Sequence, residues 1–206
     1  MRLFFLFIVC FVSNISLAQT KAVTENGDEV LLYEDGTWGY IKETKRHFDS
    51  IPTNEQRFVK APALTFSLKS KNIPASIFYN TSKWAMKKGD SPSEYTFSHK
   101  TQDVYGMFIS EQIEIPVENL RTIALNNAQE VAPNCEIVKE DFRMVNGKKV
   151  FFMQMNGTTQ GIKFTYLGYY YSNQSGTFQF VTYTAQNLLA KVQAEMFELL
   201  NGVVVP

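Results

Sequence analysis

Side chains able to do proton or nucleophile chemistry are few in this sequence and lie far apart. The histidines are His47 and His99, and the cysteines are Cys10 and Cys135. A zinc site draws on His and Cys at short paired spacings, and no H-x3-H, H-E-x-x-H or cysteine pair occurs. Asp90, Glu94 and Asp103 fall near expected loops, but no twelve-residue calcium loop surrounds them. The G-x-S-x-G elbow of a serine hydrolase is missing. Gly157 and Gly161 do not join a strand to a helix, so they build no phosphate cradle. Cys135 would need a base to act as a nucleophile, and both histidines are distant from it in sequence. A passive thiol is the simpler reading. No cofactor or metal is expected.

Two functional readings remain. Aromatic side chains are abundant, with 17 Phe, 10 Tyr and 2 Trp. Large rings with a polar handle make good interface anchors, which singles out Tyr33, Trp38, Trp84, Tyr169 and Tyr171 as binding candidates. The other reading is a small-ligand carrier or hydrolase-type enzyme with a pocket between helix and sheet. It would draw on His99, Asp103 and Glu111 as converging polar groups. The absence of a catalytic signature favours the first: a non-catalytic binding or accessory domain, with another envelope protein or a small ligand as partner.

The elements that must position these residues follow from periodicity. Around Asp35-Gly36, the stretches VLLY and TWGYI form a β-hairpin on a tight turn. Residues 44–62 are polar, of mixed charge and marked by Pro52 and Pro62, as in a linker or arm. From residue 63 the alternation of Leu64, Phe66 and Leu68 gives a strand. Further strands follow at 75–79, 94–100 and 105–110, with a polar loop after Trp84. Residues 116–131 recur at helical spacing, with Pro116 tolerated in the first turn and Pro133 marking the stop. A four-stranded antiparallel meander then spans 136–184. Asn146-Gly147 and Asn156-Gly157 are its first two turns, and residues 173–176 its last. On the strand IKFTYLGYYY, Phe164, Tyr166 and Tyr170 share one face and Leu167, Tyr169 and Tyr171 the other, unless Gly168 marks a bulge. Residues 185–200 form a second amphipathic helix ended by Asn201-Gly202. The fold class is α+β: an α/β sandwich with a large antiparallel sheet, two main flanking helices and a short N-terminal hairpin.

The first 18 residues read as a cleavable signal peptide. Arg2 precedes an unbroken apolar run of residues 3–12, and Ser16-Leu17-Ala18 places small residues before a cut ahead of Gln19. Ten apolar residues rise only about 15 Å as a helix, half of a bilayer core. Lipid attachment at Cys10 is disfavoured, because Cys10 lies inside the apolar run. The whole chain carries 20 basic and 20 acidic residues. Removing the signal takes Arg2 and no acid, so the remainder is almost neutral, and no single-sign field points to nucleic acid. No integral membrane segment is expected after cleavage. Cys135 is then alone and cannot form an internal disulfide. The product is periplasmic or secreted. The organisation is a signal peptide (1–18), an N-terminal hairpin (19–43), a linker (44–62) and an α/β-sandwich domain (63–206).

Trp84, the strands around Tyr95 and YGMFIS, the helix 117–131 and the closing run GIKFTYLGYYY, GTFQFVTYT and NLLAKVQAEMFELLNG resemble the PsbP/Mog1-like α/β-sandwich superfamily over about residues 64–202. Separately, VLLYEDGTWGY resembles a short ribbon of exported Bacteroidetes-type proteins. The resemblance implies a mostly non-enzymatic binding or assembly factor, and no functional residue of the superfamily maps onto a motif here.

Overall fold

The chain divides into two compact units, residues 1–49 and residues 50–206. The structure is a computed structural model that describes residues 20–23, 29–32, 38–40 and 50–206. The signal peptide expected at 1–18 lies outside the described residues.

In the first unit, β1 (Thr20–Val23), β2 (Glu29–Leu32) and β3 (Trp38–Tyr40) form an antiparallel sheet in that order. The expected hairpin is β2–β3, with Leu32 opposite Trp38. A third strand, β1, pairs along the other side of β2.

The second unit is built on an eight-stranded sheet. Its strands are β4 (Thr53–Phe58), β7 (Trp84–Lys88), β8 (Ser93–His99), β9 (Val104–Glu111), β10 (Glu136–Val145), β11 (Lys148–Thr159), β12 (Ile162–Asn173) and β13 (Gly176–Ala185). The order across the sheet is β4-β10-β11-β12-β13-β9-β8-β7. A small sheet, β14-β6-β5, is made by β5 (Ser67–Lys69), β6 (Ser76–Phe78) and β14 (Val203–Val204). Two helices are described, α1 (Val117–Val131) and α2 (Leu189–Leu200), the latter preceded by a 3-10 turn over Gln186–Leu188.

The large sheet is mixed rather than wholly antiparallel, because β4 runs parallel to β10. Residues 53–58 were expected within a linker. Their sequence, TNEQRF, has no apolar alternation, and the strand is held by its neighbours instead. Phe142 N–H donates to Pro52 O at 2.9 Å and Asn146 N–H to Phe58 O at 2.9 Å. Trp84–Lys88 is also a strand, where a loop was expected after Trp84. The meander holds, with one corrected turn. Asn146 and Gly147 both have positive φ and form the first turn. The second turn is at Gln160-Gly161, again with both φ positive, and not at Asn156-Gly157. Asn156 and Gly157 pair in the strand with Thr165 and Phe164. Gly157 is there for close approach: a Cβ would stand 2.8 Å from the Phe164 ring and 3.2 Å from Ala132. Gly168 makes no bulge, since it pairs in register with Met153 and Val181.

The two sheet faces are covered unequally. One face carries Phe108, Phe152, Leu167, Tyr169, Phe178 and Phe180, all almost fully buried. On it pack Val192, Met196, Leu199 and Leu200 of α2 and the small sheet through Ile77 and Val203. The opposite face carries α1 and a much smaller cluster of Ala128, Ala132, Cys135, Met155 and Phe164. The expected division of β12 therefore holds, with Leu167 and Tyr169 in the larger core and Phe164 and Tyr166 beneath α1.

Candidate functional site

α1 turns Leu120, Ala124 and Ala128 toward the sheet. Ala124 and Ala128 are one helical turn apart and lie on the same face. Their side chains are single methyl groups, and Ala128 packs in the smaller cluster with Met155 and Phe164. At its C-terminal end α1 sits close, where Ala132 and Cys135 approach Gly157 and Phe164. Over β9 and β13 the gap stays open as a cleft of about 220 Å³. Its roof is Ala124, Asn127, Ala128 and Val131. Its floor is Met107, Met155, Tyr166, Tyr170 and Val181, with Gln179 and Ile109 alongside and Pro92 at the wall.

The floor owes its shape to Gly168. The Tyr170 ring folds back over it, to a point where a Cβ at Gly168 would meet the ring at 2.7 Å. Burial raises the pKa of the Tyr166 and Tyr170 hydroxyls, so both are neutral near pH 7. Asn127 and Gln179 add two amides, and no charged residue lines the cleft. The sheet surface beyond the cleft continues as a row of rings. Tyr166 meets Tyr183 edge-on at 5.6 Å, and Tyr183 stacks on Tyr105 at 5.4 Å. Tyr105 is 40% exposed and Val131 58%.

The residues singled out from sequence fall elsewhere. Tyr33 lies outside the described residues. Trp38 is exposed in β3 of the first unit. Trp84 and Tyr169 are buried in the larger core, so they are not surface anchors. Both point to the face that α2 and the small sheet cover. Tyr169 donates to Asn201 Oδ1 at 2.8 Å. Tyr171 is half-buried, with its ring stacked on Phe178 at 5.5 Å.

His99, Asp103 and Glu111 are not brought together. His99 ends β8, with its ring edge-on to Trp84 at 5.0 Å. Asp103 is exposed in the following loop, where its backbone carbonyl accepts from Thr184 Oγ1 at 2.6 Å. Glu111 sits at the other end of β9, eight residues from Asp103 and so about 26 Å away along an extended strand. None of the three lines the cleft.

One polar cluster escaped the sequence reading. Glu94 Oε2 accepts from Ser70 Oγ at 2.7 Å and also from Ser110 Oγ, while Glu94 Oε1 accepts from Lys71 N–H at 2.6 Å. Burial works to raise the Glu94 pKa, but these donors outweigh it and hold the carboxyl below its usual range. A carboxylate so supplied with donors is a poor proton acceptor. Its work is to tie the loop after β5 to β8 and β9. Among the described residues no group of three or more His, Cys, Asp or Glu side chains is placed to hold a metal ion. No helix among them is long and apolar enough to cross a membrane.

No known family model matches the sequence, and no curated protein matches it. Solved structures do resemble it. The solution structure of cyanobacterial PsbP from Synechocystis aligns with a TM-score of 0.52 at 10% identity, covering 68% of this chain and 92% of that one. LpqN of Mycobacterium tuberculosis, described as involved in cell envelope biogenesis, aligns with a TM-score of 0.49 at 9% identity, covering 68% and 90%. A Bacteroides thetaiotaomicron protein aligns with a TM-score of 0.45 at 12% identity, covering 68% of this chain and 48% of that one. At such identity the likeness is one of architecture, and the architecture of this chain is the PsbP/Mog1-like α/β sandwich.

Proposed function

We propose that this chain is an exported, non-catalytic binding or accessory domain of the bacterial envelope, and that its working surface is the cleft beneath α1. The observation that carries the reading is the size and lining of that cleft. Small-molecule sites usually occupy about 300–1,000 Å³ and pair an apolar wall with convergent polar groups. The cleft here is smaller, at about 220 Å³, and its polar groups are neutral amides and phenols. That suits a side chain presented by a partner better than a free metabolite. The PsbP-like architecture and the leader-like residues 1–18 support the same reading.

The test is a photo-crosslinking residue placed at Asn127, with a second at Glu55 on exposed β4 as control, followed by fractionation of the host cell. We expect a discrete crosslinked product from position 127 only, in the periplasmic fraction, on a chain that begins at Gln19. Equal products from both positions would sink the cleft as the working surface. An intact leader on cytosolic protein would sink export.

A further inference from the structure

We infer that the cleft beneath α1 is a receptor for one phenyl side chain, that of Phe, carried on an uncharged stretch of a partner polypeptide. This rests on the reading of the cleft as a binding site and adds what it selects. Volume is the first argument. An apolar cavity of about 150 Å³ holds a benzene molecule. The cleft's volume of about 220 Å³ therefore takes one ring and its methylene with little to spare.

Lining chemistry is the second argument. Met107 and Met155 bring two thioethers to the floor, beside the rings of Tyr166 and Tyr170. Thioethers gain from contact with an aromatic edge, and ring pairs in edge-on or offset contact gain beyond burial alone. An aliphatic side chain would fill the space without either gain. Methionine is also flexible enough to close around a flat ring.

Charge is the third. No charged side chain lines the cleft, so a charged occupant would lose its hydration with nothing in return. A neutral polypeptide segment complements it. Asn127 on the roof and Gln179 beside the floor bring two amides to the cleft, and an amide N–H and carbonyl are the groups that match a peptide backbone.

The experiment labels the methionine methyls of the mature protein with 13C and titrates in three capped tripeptides: acetyl-Gly-Phe-Gly-amide, acetyl-Gly-Leu-Gly-amide and acetyl-Gly-Asp-Gly-amide. An inserted ring shifts nearby methyls through its ring current, upfield over its face and downfield at its edge. We expect the Phe peptide to shift Met107 and Met155 saturably and to leave Met86 and Met196 in place. We expect it to bind about fivefold more tightly than the Leu peptide, the scale of one or two sulfur–aromatic contacts. The Asp peptide should give no shift. Ala124→Leu, which fills the cleft from its roof, should abolish the Phe-peptide shifts. Val131→Lys, at the exposed rim where the fold is not at risk, should weaken them severalfold. Equal or tighter binding of the Leu peptide at the same two methyls overturns the aromatic preference and leaves the cleft as a binding site. No shift at Met107 and Met155 with any peptide overturns both.

Discussion

The Arg143 guanidinium is buried with Asp141, at 3% and 5% exposure. Its Nε donates to Asp141 Oδ1 and its Nη2 to Oδ2 at 3.1 Å. Its Cζ lies 3.4 Å from the Phe152 ring centre, 5.0 Å from that of Phe58 and 5.2 Å from that of Phe197. Taking such a pair out of water is costly, and the aromatic faces and two hydrogen bonds offset part of that cost. The pair is therefore fragile when broken. Asp141→Ala should lower stability by about 3–5 kcal/mol, because it leaves a buried cation without its acceptor. Asp141→Leu combined with Arg143→Met should recover most of that loss. Urea unfolding of the single and double variants measures it, and a double variant no better than the single would contradict this account. In the sequence, E-D-F-R-M-V reads as an ordinary strand, with Asp141 and Arg143 on one face and Glu140 on the other. Nothing local says that the face bearing Asp141 and Arg143 is the covered one, since that depends on where α2 lands.

β4 is the element whose absence would matter most for its length. It closes one edge of the large sheet, places Phe58 over Arg143, and its flanks reach the β10–β11 turn, where Lys60 N–H donates to Asn146 Oδ1 at 2.8 Å. Urea unfolding can compare a chain that begins at residue 50 with one that begins at residue 63. A chain beginning at residue 63, the boundary expected from composition, should lose at least about 3 kcal/mol or fail to fold. Equal midpoints for the two would show that β4 contributes nothing. The contrast explains what could be read in advance. The β10–β11 hairpin, α1 and α2 announce themselves through turn residues and periodicity within their own segments. β4 and β14 do not. Each is short, and each is made a strand by a partner distant in sequence, β10 in one case and β6 in the other. The cleft was hidden for a similar reason. Ala124 and Ala128 fit a helical stripe, but the gap beneath them depends on how far the helix stands from β9 and β13.

At the scale of the whole molecule, one face of the sandwich is thick and the other thin. The thick face holds Tyr95 and Tyr169, whose hydroxyls are pushed up to about 12, each mainly by burial. An ordinary tyrosine loses its proton near pH 10. The folded state thus keeps these protons where the unfolded chain releases them. Their stabilisation is fully present below pH 10 and is lost as pH rises toward 12. The urea midpoint should fall over that window, and Tyr169→Phe should flatten the fall while lowering the midpoint at pH 7 through the lost bond to Asn201. A midpoint unchanged between pH 9 and pH 12 would refute it. The general plan of helices packed on a large sheet was legible because strand-forming runs separated by turn residues are flanked by two segments of helical periodicity. The inequality of the faces was not. Both sides of β12 carry rings, and only the placed helices show which side is sealed.

The small sheet has a consequence for how the chain is made. β14 pairs with β6, Gly202 O accepts from Phe78 N–H at 2.8 Å, and Asn146 Nδ2 donates to Asn201 O and Val203 O at 2.8 and 2.7 Å. Residues near 78 and 146 thus wait for residues 201–204. A growing polypeptide therefore cannot complete its larger core until residue 204 has left the ribosome, because β6 and the β10–β11 turn lack these partners before then.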